Sequence, residues 1–339
     1  MTTPTFRLPE LRGALTAARH PLTALLIEES DAWARKNLAF LGGGEVARLL
    51  EQQLPLWTGM VYTAGAAERV RDVCDITYLF AALDDDCDGV GPLQTDQQRA
   101  RAVFAGISAV FDDPEPDPAA PYAVAFADIW RRVSAQASPD LRDRLGGALR
   151  RIFDVWAEKI GALSNERAYD MATYLRMRPI DVMIKFWLLL YEYTLDIELG
   201  RLFVTHPEVT AAEDPAIRHL YLVNDLLSYR QEYYGDHHMN IVAVLRQEGV
   251  GRQDAVDRTC ELIAVAEQDF LAARDRIRTG ELGSDPVVCA YLLAIEHLVS
   301  GSLDWSYLSS RYHGAGYQWN GLTSGIVIMH PEITEILAG

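Results

Sequence analysis

Basic side chains are scarce in this sequence: 31 lysines and arginines stand against 48 aspartates and glutamates in 339 residues, a formal charge of -17. Binding to a phosphate backbone wants a basic face, so nucleic acid is a poor partner for such a chain. Cysteine is equally sparse. Cys74, Cys87, Cys260 and Cys289 show no CxxC spacing, which implies neither a zinc site nor a disulfide framework. Read as small buried hydrophobes in a reducing compartment, they make the chain an expected cytoplasmic protein. The first twenty residues hold charges and a proline but no apolar signal-peptide core. The longest apolar runs, such as Phe186-Trp187-Leu188-Leu189-Leu190-Tyr191, fall far short of a membrane span. Also missing are any alternating β pattern, an internal repeat, a glycine-rich phosphate loop and a GxSxG elbow.

What is present is helical period. Almost half the residues are apolar, ample for a sizeable core. Helices are expected from about residue 21 to the triple glycine at 42–44, over 45–53 with a stop before Pro55, and over 66–86, with a further helix before the acidic, proline-rich loop 112–118. Others are expected over 121–136, 139–164, 169–178, 181–199, 216–234, 239–248, 252–278 and 285–312. Pro179 should break the chain between two of these, because proline lacks a backbone donor and clashes one turn back. Such breaks are often functional. No proline- or glycine-rich stretch divides the chain. The expectation is therefore one all-α, single-domain helical bundle over residues 1–339, with a loose lead-in to residue 20 and a tail from 314.

Two acidic clusters carry the chemistry. On a helix, Asn224, Ser228 and Glu232 step by four residues and put an amide oxygen, a hydroxyl and a carboxylate on one stripe. That donor set suits a hard cation, with further ligands supplied from elsewhere. Asp84-Asp85-Asp86-Cys87-Asp88, 140 positions upstream, offers them, with Asp84 and Asp88 again sharing a face. These carboxylates fall at a helix C-terminus, where the macrodipole disfavours them; a bound cation would explain the placement. A solvated acidic turn before Gly89 is the plainer alternative. An acidic protein that binds an anion must recruit cations or focus a few arginines, for which Arg178, Arg230 and Arg311 are candidates. Each taken singly can equally be a surface or ion-pair arginine. His237-His238 reads as solvated loop.

Together these residues resemble the motifs of the class I terpene synthases. Asp84-Asp85-x-x-Asp88, with Phe80 four residues before it, is similar to the family's aspartate-rich motif. Asn224-Asp225-x-x-Ser228-x-x-x-Glu232, continued by Gly235-Asp236 and Asn240, is similar to its second metal motif. Arg178 lies 46 residues before Asn224, where the family keeps a diphosphate-sensing arginine, followed by Asp181 and Val182 at the linker and effector positions. Arg311-Tyr312, preceded by Trp305, resembles the Arg-Tyr pair that caps the diphosphate, and Pro21 and Trp33 fit the opening helix.

The resemblance implies a class I terpenoid synthase fold around an apolar cavity, and three Mg2+ ions with substrate bound. Asp84, assisted by Asp85 and Asp88, would hold two of the ions; Asn224, Ser228 and Glu232 would hold the third. Arg178, Arg230, Arg311 and Tyr312 would hold the diphosphate. Phe80, Trp187 and Trp305 would line the pocket, where ring faces stabilise cationic carbon, although aromatics at helical spacing are as often plain core. The implied reaction is ionisation and cyclisation of a linear prenyl diphosphate, farnesyl or geranylgeranyl. A homodimer is compatible with it. Three departures stand out: Gln231 where many members have lysine, Pro179 directly after the sensor, and Val182 at a commonly small position. Rival readings are a chain-elongating prenyl diphosphate synthase, which would want a second aspartate-rich motif, and a helical binding protein that kept only the fold.

Overall fold

Proline and short polar caps explain where most helices begin. Proline sits in the first turn of Leu54–Val61, Pro121–Ser134, Pro207–Ala211 and Pro286–Leu308, where its missing N–H costs nothing and its fixed φ suits the helix. Asp96, Asp170, Asn240, Asp285 and Ser309 accept hydrogen bonds from the first free N–H groups of the helices they precede. The structure is a computed structural model that describes residues 3–88, 91–164, 169–235 and 239–339, the side chains of Asp88, Leu163 and Ser164 excepted. Its elements are overwhelmingly α-helical, as expected for an all-α protein.

The chain folds into two compact units. The first comprises Arg19–Ala168 and Met183–Arg201. Its helices are Thr23–Asn37, Gly43–Glu51, Leu54–Val61, Ala67–Asp88, Gln97–Ala109, Pro121–Ser134, Pro139–Ser164 and Ile184–Leu195. The Leu54–Val61 helix is a correction: Pro55 starts it rather than ending its predecessor. Aromatic rings fill this core, with Phe80 meeting Phe126, Phe153 and Phe186 at centroid distances of 6.1, 6.3 and 5.7 Å. Beside them runs a buried ion network. Arg132 donates to Asp72 (2.6 Å), Asp75 (2.6 Å) and Asp128 (2.8 Å), while Ser30 donates to Asp75.

The second unit comprises Met1–Ala18, Tyr169–Val182 and Leu202–Gly339. Its long helices are Met171–Asp181, Glu213–Tyr234, Arg252–Thr279 and Pro286–Leu308, with shorter ones at Pro207–Ala211, Ile241–Gln247 and Ser310–His313. Pro286–Leu308 is long and apolar enough to cross a membrane, at mean hydropathy 1.5. The sequence runs understated it. Most of its residues are buried, Tyr291, Leu292, Ile295 and Leu298 almost completely, as in the core helix of a globular unit.

Three expectations fail here. Pro179 lies inside the Met171–Asp181 helix and does not end it. The break falls after Val182, whose N–H still reaches the Arg178 carbonyl at 3.3 Å, and Met183 turns into the left-handed region at φ 60°. An ion pair from Arg178 to Asp181 spans the proline and holds that last turn. The absence of strands is also wrong. Thr5–Leu8 (β1), Gly325–Met329 (β2) and Thr334–Leu337 (β3) form an antiparallel sheet in the order β1-β2-β3. The lead-in is not loose: Gln253 exchanges two hydrogen bonds with the Arg7 backbone, and Glu267 accepts from the N–H groups of Ala14 and Leu15.

The Arg132 network gives a stability test. Arg132→Met strands Asp72 and Asp75, both almost fully buried, and should lower the unfolding free energy by roughly 3–5 kcal/mol in chemical denaturation. Burial already pushes the Asp75 carboxyl up to about 7, against the pull of Ser30 and Arg132. A raised folded-state pKa favours the native state as pH falls. The deficit should therefore shrink between pH 8 and pH 5.

Candidate active site

The Glu213–Tyr234 helix carries Asn224, Ser228 and Glu232 on one stripe, as its four-residue period requires. The Ser228 hydroxyl donates to Glu232 Oε1 at 2.5 Å. Asn224 is held from two sides: its Oδ1 accepts from Arg178 Nη2, and its Nδ2 donates to the Tyr312 hydroxyl at 2.7 Å. Tyr312 in turn packs edge-on against Trp305, with ring centroids 5.5 Å apart.

Arg178 lies at the centre of this group, 7% exposed. Its Nε donates to Asp225 Oδ1 at 2.7 Å and its Nη1 to Asp181 Oδ2 at 2.6 Å. Asp225 is completely buried and also accepts from the Tyr174 hydroxyl (2.6 Å) and the Ile241 N–H (2.7 Å). Burial pushes the Asp225 carboxyl up, and Arg178, Tyr174 and Ile241 oppose the shift. With three donors aimed at it, one of them a guanidinium, the ionised form is the one this site holds. Desolvation, together with the Asp225 charge, also lifts the Glu232 carboxyl, to about 8, against the opposing pull of Arg178 and of hydrogen bonds with Ser228 and Asn240. Asp181 and Asp225 already outnumber the one guanidinium, so the cluster is short of positive charge even before Glu232 ionises. An oxygen-only donor set with surplus negative charge fits a hard divalent cation.

The structure thus brings Arg178, Asp181, Asn224, Ser228, Glu232, Trp305 and Tyr312 into one neighbourhood. Val182, half-buried, closes the helix beside them. Arg311 follows the Ser309 cap, its N–H bonded to that hydroxyl at 3.1 Å. Arg230 donates from its guanidinium to the carbonyls of Pro331 (2.8 Å) and Tyr312 (3.3 Å). Asp225 and Tyr174 were missed. The signal lay in the sequence, since a carboxylate on the apolar flank of a buried helix needs a partner.

In the first unit, Ala67–Asp88 ends in the aspartate run. Asp84 and Asp85 are half-buried, and Asp85 pairs with Arg48 at 3.0 Å. Asp86 accepts from the Tyr122 hydroxyl at 2.6 Å; burial raises its carboxyl, and that hydrogen bond works against the rise. The Asp88 side chain and residues 236–238 lie outside the described residues. Phe80 is 2% exposed within its aromatic cluster, and Phe186 separates it from Trp187, which meets Trp57 edge-on at 5.4 Å. Among the described residues no three His, Cys, Asp or Glu side chains gather as a metal cluster, so amide and hydroxyl oxygens are needed to complete one.

The Arg178 cluster makes a stability prediction separate from turnover. Arg178→Met leaves Asp225 buried without its counter-ion and should cost roughly 3–5 kcal/mol in urea unfolding. Adding Asp225→Leu should restore most of that loss, while Asp225→Leu alone should not reach wild-type stability.

Comparison with known proteins agrees with this geometry. A family description, "Terpene synthase family 2, C-terminal metal binding", matches residues 75–269, more than half of the chain. That span holds the aspartate run, Arg178 and the Asn224–Glu232 stripe. A (3S,6E)-nerolidol synthase of Selaginella moellendorffii is 26% identical over 98% of this chain and 91% of its own length. A silphinene synthase of Penicillium patulum is 27% identical over 87% of this chain and 81% of its own. Among solved structures, germacradien-4-ol synthase from Streptomyces citricolor superposes with a TM-score of 0.75 at 19% identity, over 88% of this chain and 98% of that one. The SVS_A2 protein from ancestral sequence reconstruction gives 0.79 at 23% identity, over 88% and 90%. From the matched metal-binding region and the all-α fold it folds into, the chain belongs to the terpene synthase family, whose members are lyases.

Proposed function

We propose that the protein is a Mg2+-dependent class I terpene cyclase that ionises a linear prenyl diphosphate, with farnesyl diphosphate the preferred substrate. The observation that carries this is the shared amide: Asn224 belongs to the oxygen stripe and is gripped by both Arg178 and Tyr312. Cation ligands and anion-binding donors thus meet at one side chain. The preference for a fifteen-carbon substrate is supported by relatives named nerolidol, silphinene and (+)-germacrene D synthase and "Sesquiterpene synthase 6".

Asn224, Ser228 and Glu232, with Asp84, Asp85 and Asp88, are assigned to hold magnesium, three ions in all. Bound there, magnesium would neutralise the diphosphate leaving group. Arg178, Arg311 and the Tyr312 hydroxyl donate to diphosphate oxygens, a guanidinium matching them two at a time. The carbon–oxygen bond breaks with its electron pair leaving on diphosphate, and an allylic cation remains. Asp181 holds the Arg178 fork, and Val182 ends the helix at the point of release. Trp305 and Trp187 are assigned the task of stabilising cationic carbon with their ring faces. Loss of a proton, or capture of water, ends the sequence as hydrocarbon or alcohol. Arg230 is left out of the diphosphate set: two of its nitrogens hold chain carbonyls, whereas Arg178 is bonded into the oxygen stripe at Asn224.

Incubation with farnesyl or geranylgeranyl diphosphate and Mg2+, without isopentenyl diphosphate, should release inorganic diphosphate and a cyclic product. A requirement for isopentenyl diphosphate would make the protein a chain-elongating synthase instead, and no release from either substrate would leave it a binding protein. Asp84→Asn and Glu232→Gln should each cut kcat/KM by roughly two orders of magnitude, about 2.7 kcal/mol of transition-state stabilisation, with the helical circular dichroism unchanged. Near-wild-type turnover of either at saturating Mg2+ would refute the metal assignment. Trp305→Leu and Trp187→Leu should change the product mixture in gas chromatography more than they change the rate of diphosphate release.

A further inference from the structure

Arg230 is a buried cation, 7% exposed, with no carboxylate beside it among the described residues. Its Nη1 donates to the Pro331 carbonyl and its Nη2 to the Tyr312 carbonyl, while its Nε–H finds no acceptor. Those two carbonyls belong to different pieces of chain. Tyr312 lies in the short Ser310–His313 helix, and Pro331 lies in the turn between β2 and β3, where the His330 N–H bonds the Ile333 carbonyl. We propose that Arg230 and the C-terminal hairpin form a positioning device for the active site, in which Arg230 seats Tyr312 against Asn224 through the Tyr312 backbone and does not itself bind diphosphate. The inference rests on the proposed function, since Tyr312 is taken there as a diphosphate ligand.

Three further contacts fasten the same pieces together. Tyr234, one turn beyond Arg230, donates its hydroxyl to the Met329 carbonyl at 2.9 Å. Gly314, which follows the Ser310–His313 helix, has φ +101°, and a Cβ there would fall 2.0 Å from the Glu332 carbonyl oxygen. Only glycine lets the backbone pass the hairpin turn so closely. The hairpin itself is anchored by pairing of β2 with β1. The Tyr312 turn is thus held between the metal-stripe helix and the hairpin, with its hydroxyl at 2.7 Å from Asn224 Nδ2. Hydrogen bonds from a charged donor are stronger than neutral ones. Two of them at one side chain can hold a four-residue turn in register.

A loosened Tyr312 weakens diphosphate binding in ground and transition state alike, which appears as KM rather than kcat. Arg230→Met should raise KM for farnesyl diphosphate about tenfold with a much smaller change in kcat, and Arg230→Lys should recover part of the loss. Gly314→Ala, which displaces the hairpin turn without touching a charge, should reproduce the Arg230→Met effect. The deciding measurement is a double-mutant cycle with Tyr312→Phe. In that background neither Arg230→Met nor Gly314→Ala should cost anything further. Additive losses would mean that Arg230 contacts diphosphate directly, and wild-type KM in both Arg230→Met and Gly314→Ala would mean that the hairpin is mere packing; either result overturns the proposal. Should Arg230→Met fail to fold by circular dichroism, the Gly314→Ala cycle decides alone. Backbone amide exchange over residues 310–314 gives a readout independent of catalysis. It should rise in the variants, and unchanged exchange would refute the seating even if the wild type released no diphosphate.

Discussion

One buried guanidinium organises the second unit. Arg178 is nearly sealed from water, and a charge so placed survives only with partners of good geometry. It has them in Asp225, Asp181 and Asn224, from two helices. Its demands explain several features at once. Asp225 is pinned by three donors, so the helix that carries it has one rotational setting, and that setting aims Asn224, Ser228 and Glu232 together. Asp181 is fixed to Arg178 across Pro179, so the helix keeps its last turn where proline alone would end it. Replacing the whole ion pair by apolar side chains could recover most of the stability, but it could not fix which face of the Glu213–Tyr234 helix presents its oxygens.

The two oxygen-bearing helix ends treat their surplus charge differently. In the aspartate run, successive side chains diverge by about 100°, and each finds its own neighbour: Asp85 meets Arg48, and Asp86 meets Tyr122. Within the first unit this run is partly neutralised by local partners. Around Asn224, by contrast, Asp181, Asp225 and Glu232 face one arginine, and Glu232 carries the strain as an elevated proton affinity.

The helices and the oxygen stripe were legible because both rest on local period. A four-residue step on a helix is a geometric necessity, and Ala67–Asp88, Pro121–Ser134, Pro139–Ser164 and Arg252–Thr279 lie within a few residues of their expected bounds. What escaped depends on partners distant in sequence. Pro179 reads as a breaker until Asp181 is seen holding Arg178. Pro55 reads as a stop although proline favours a first turn. Arg230 reads as an anion ligand because nothing local announces the carbonyls of Tyr312 and Pro331. Strands β1 and β2 are four and five residues long, too short for alternation to stand out, and each acquires meaning only beside the other. Asp225 was visible as a letter, but its role needed Tyr174 and Ile241 to be placed.

The sheet that joins residues 5–8 to residues 325–328 also bears on how the protein is made. Loop closure over so many residues carries a large entropic penalty and comes late. A ribosome emits the first partner of that pairing some three hundred residues before the second. The early strand must therefore wait unpaired, an exposed edge on a growing chain, and the turn bearing Tyr312 can reach its hairpin only after Pro331 has been added. The Tyr312 turn thus acquires its seat only after the hairpin has been made, so chains stopped before Pro331 would lack the Arg230 contact that fastens the two.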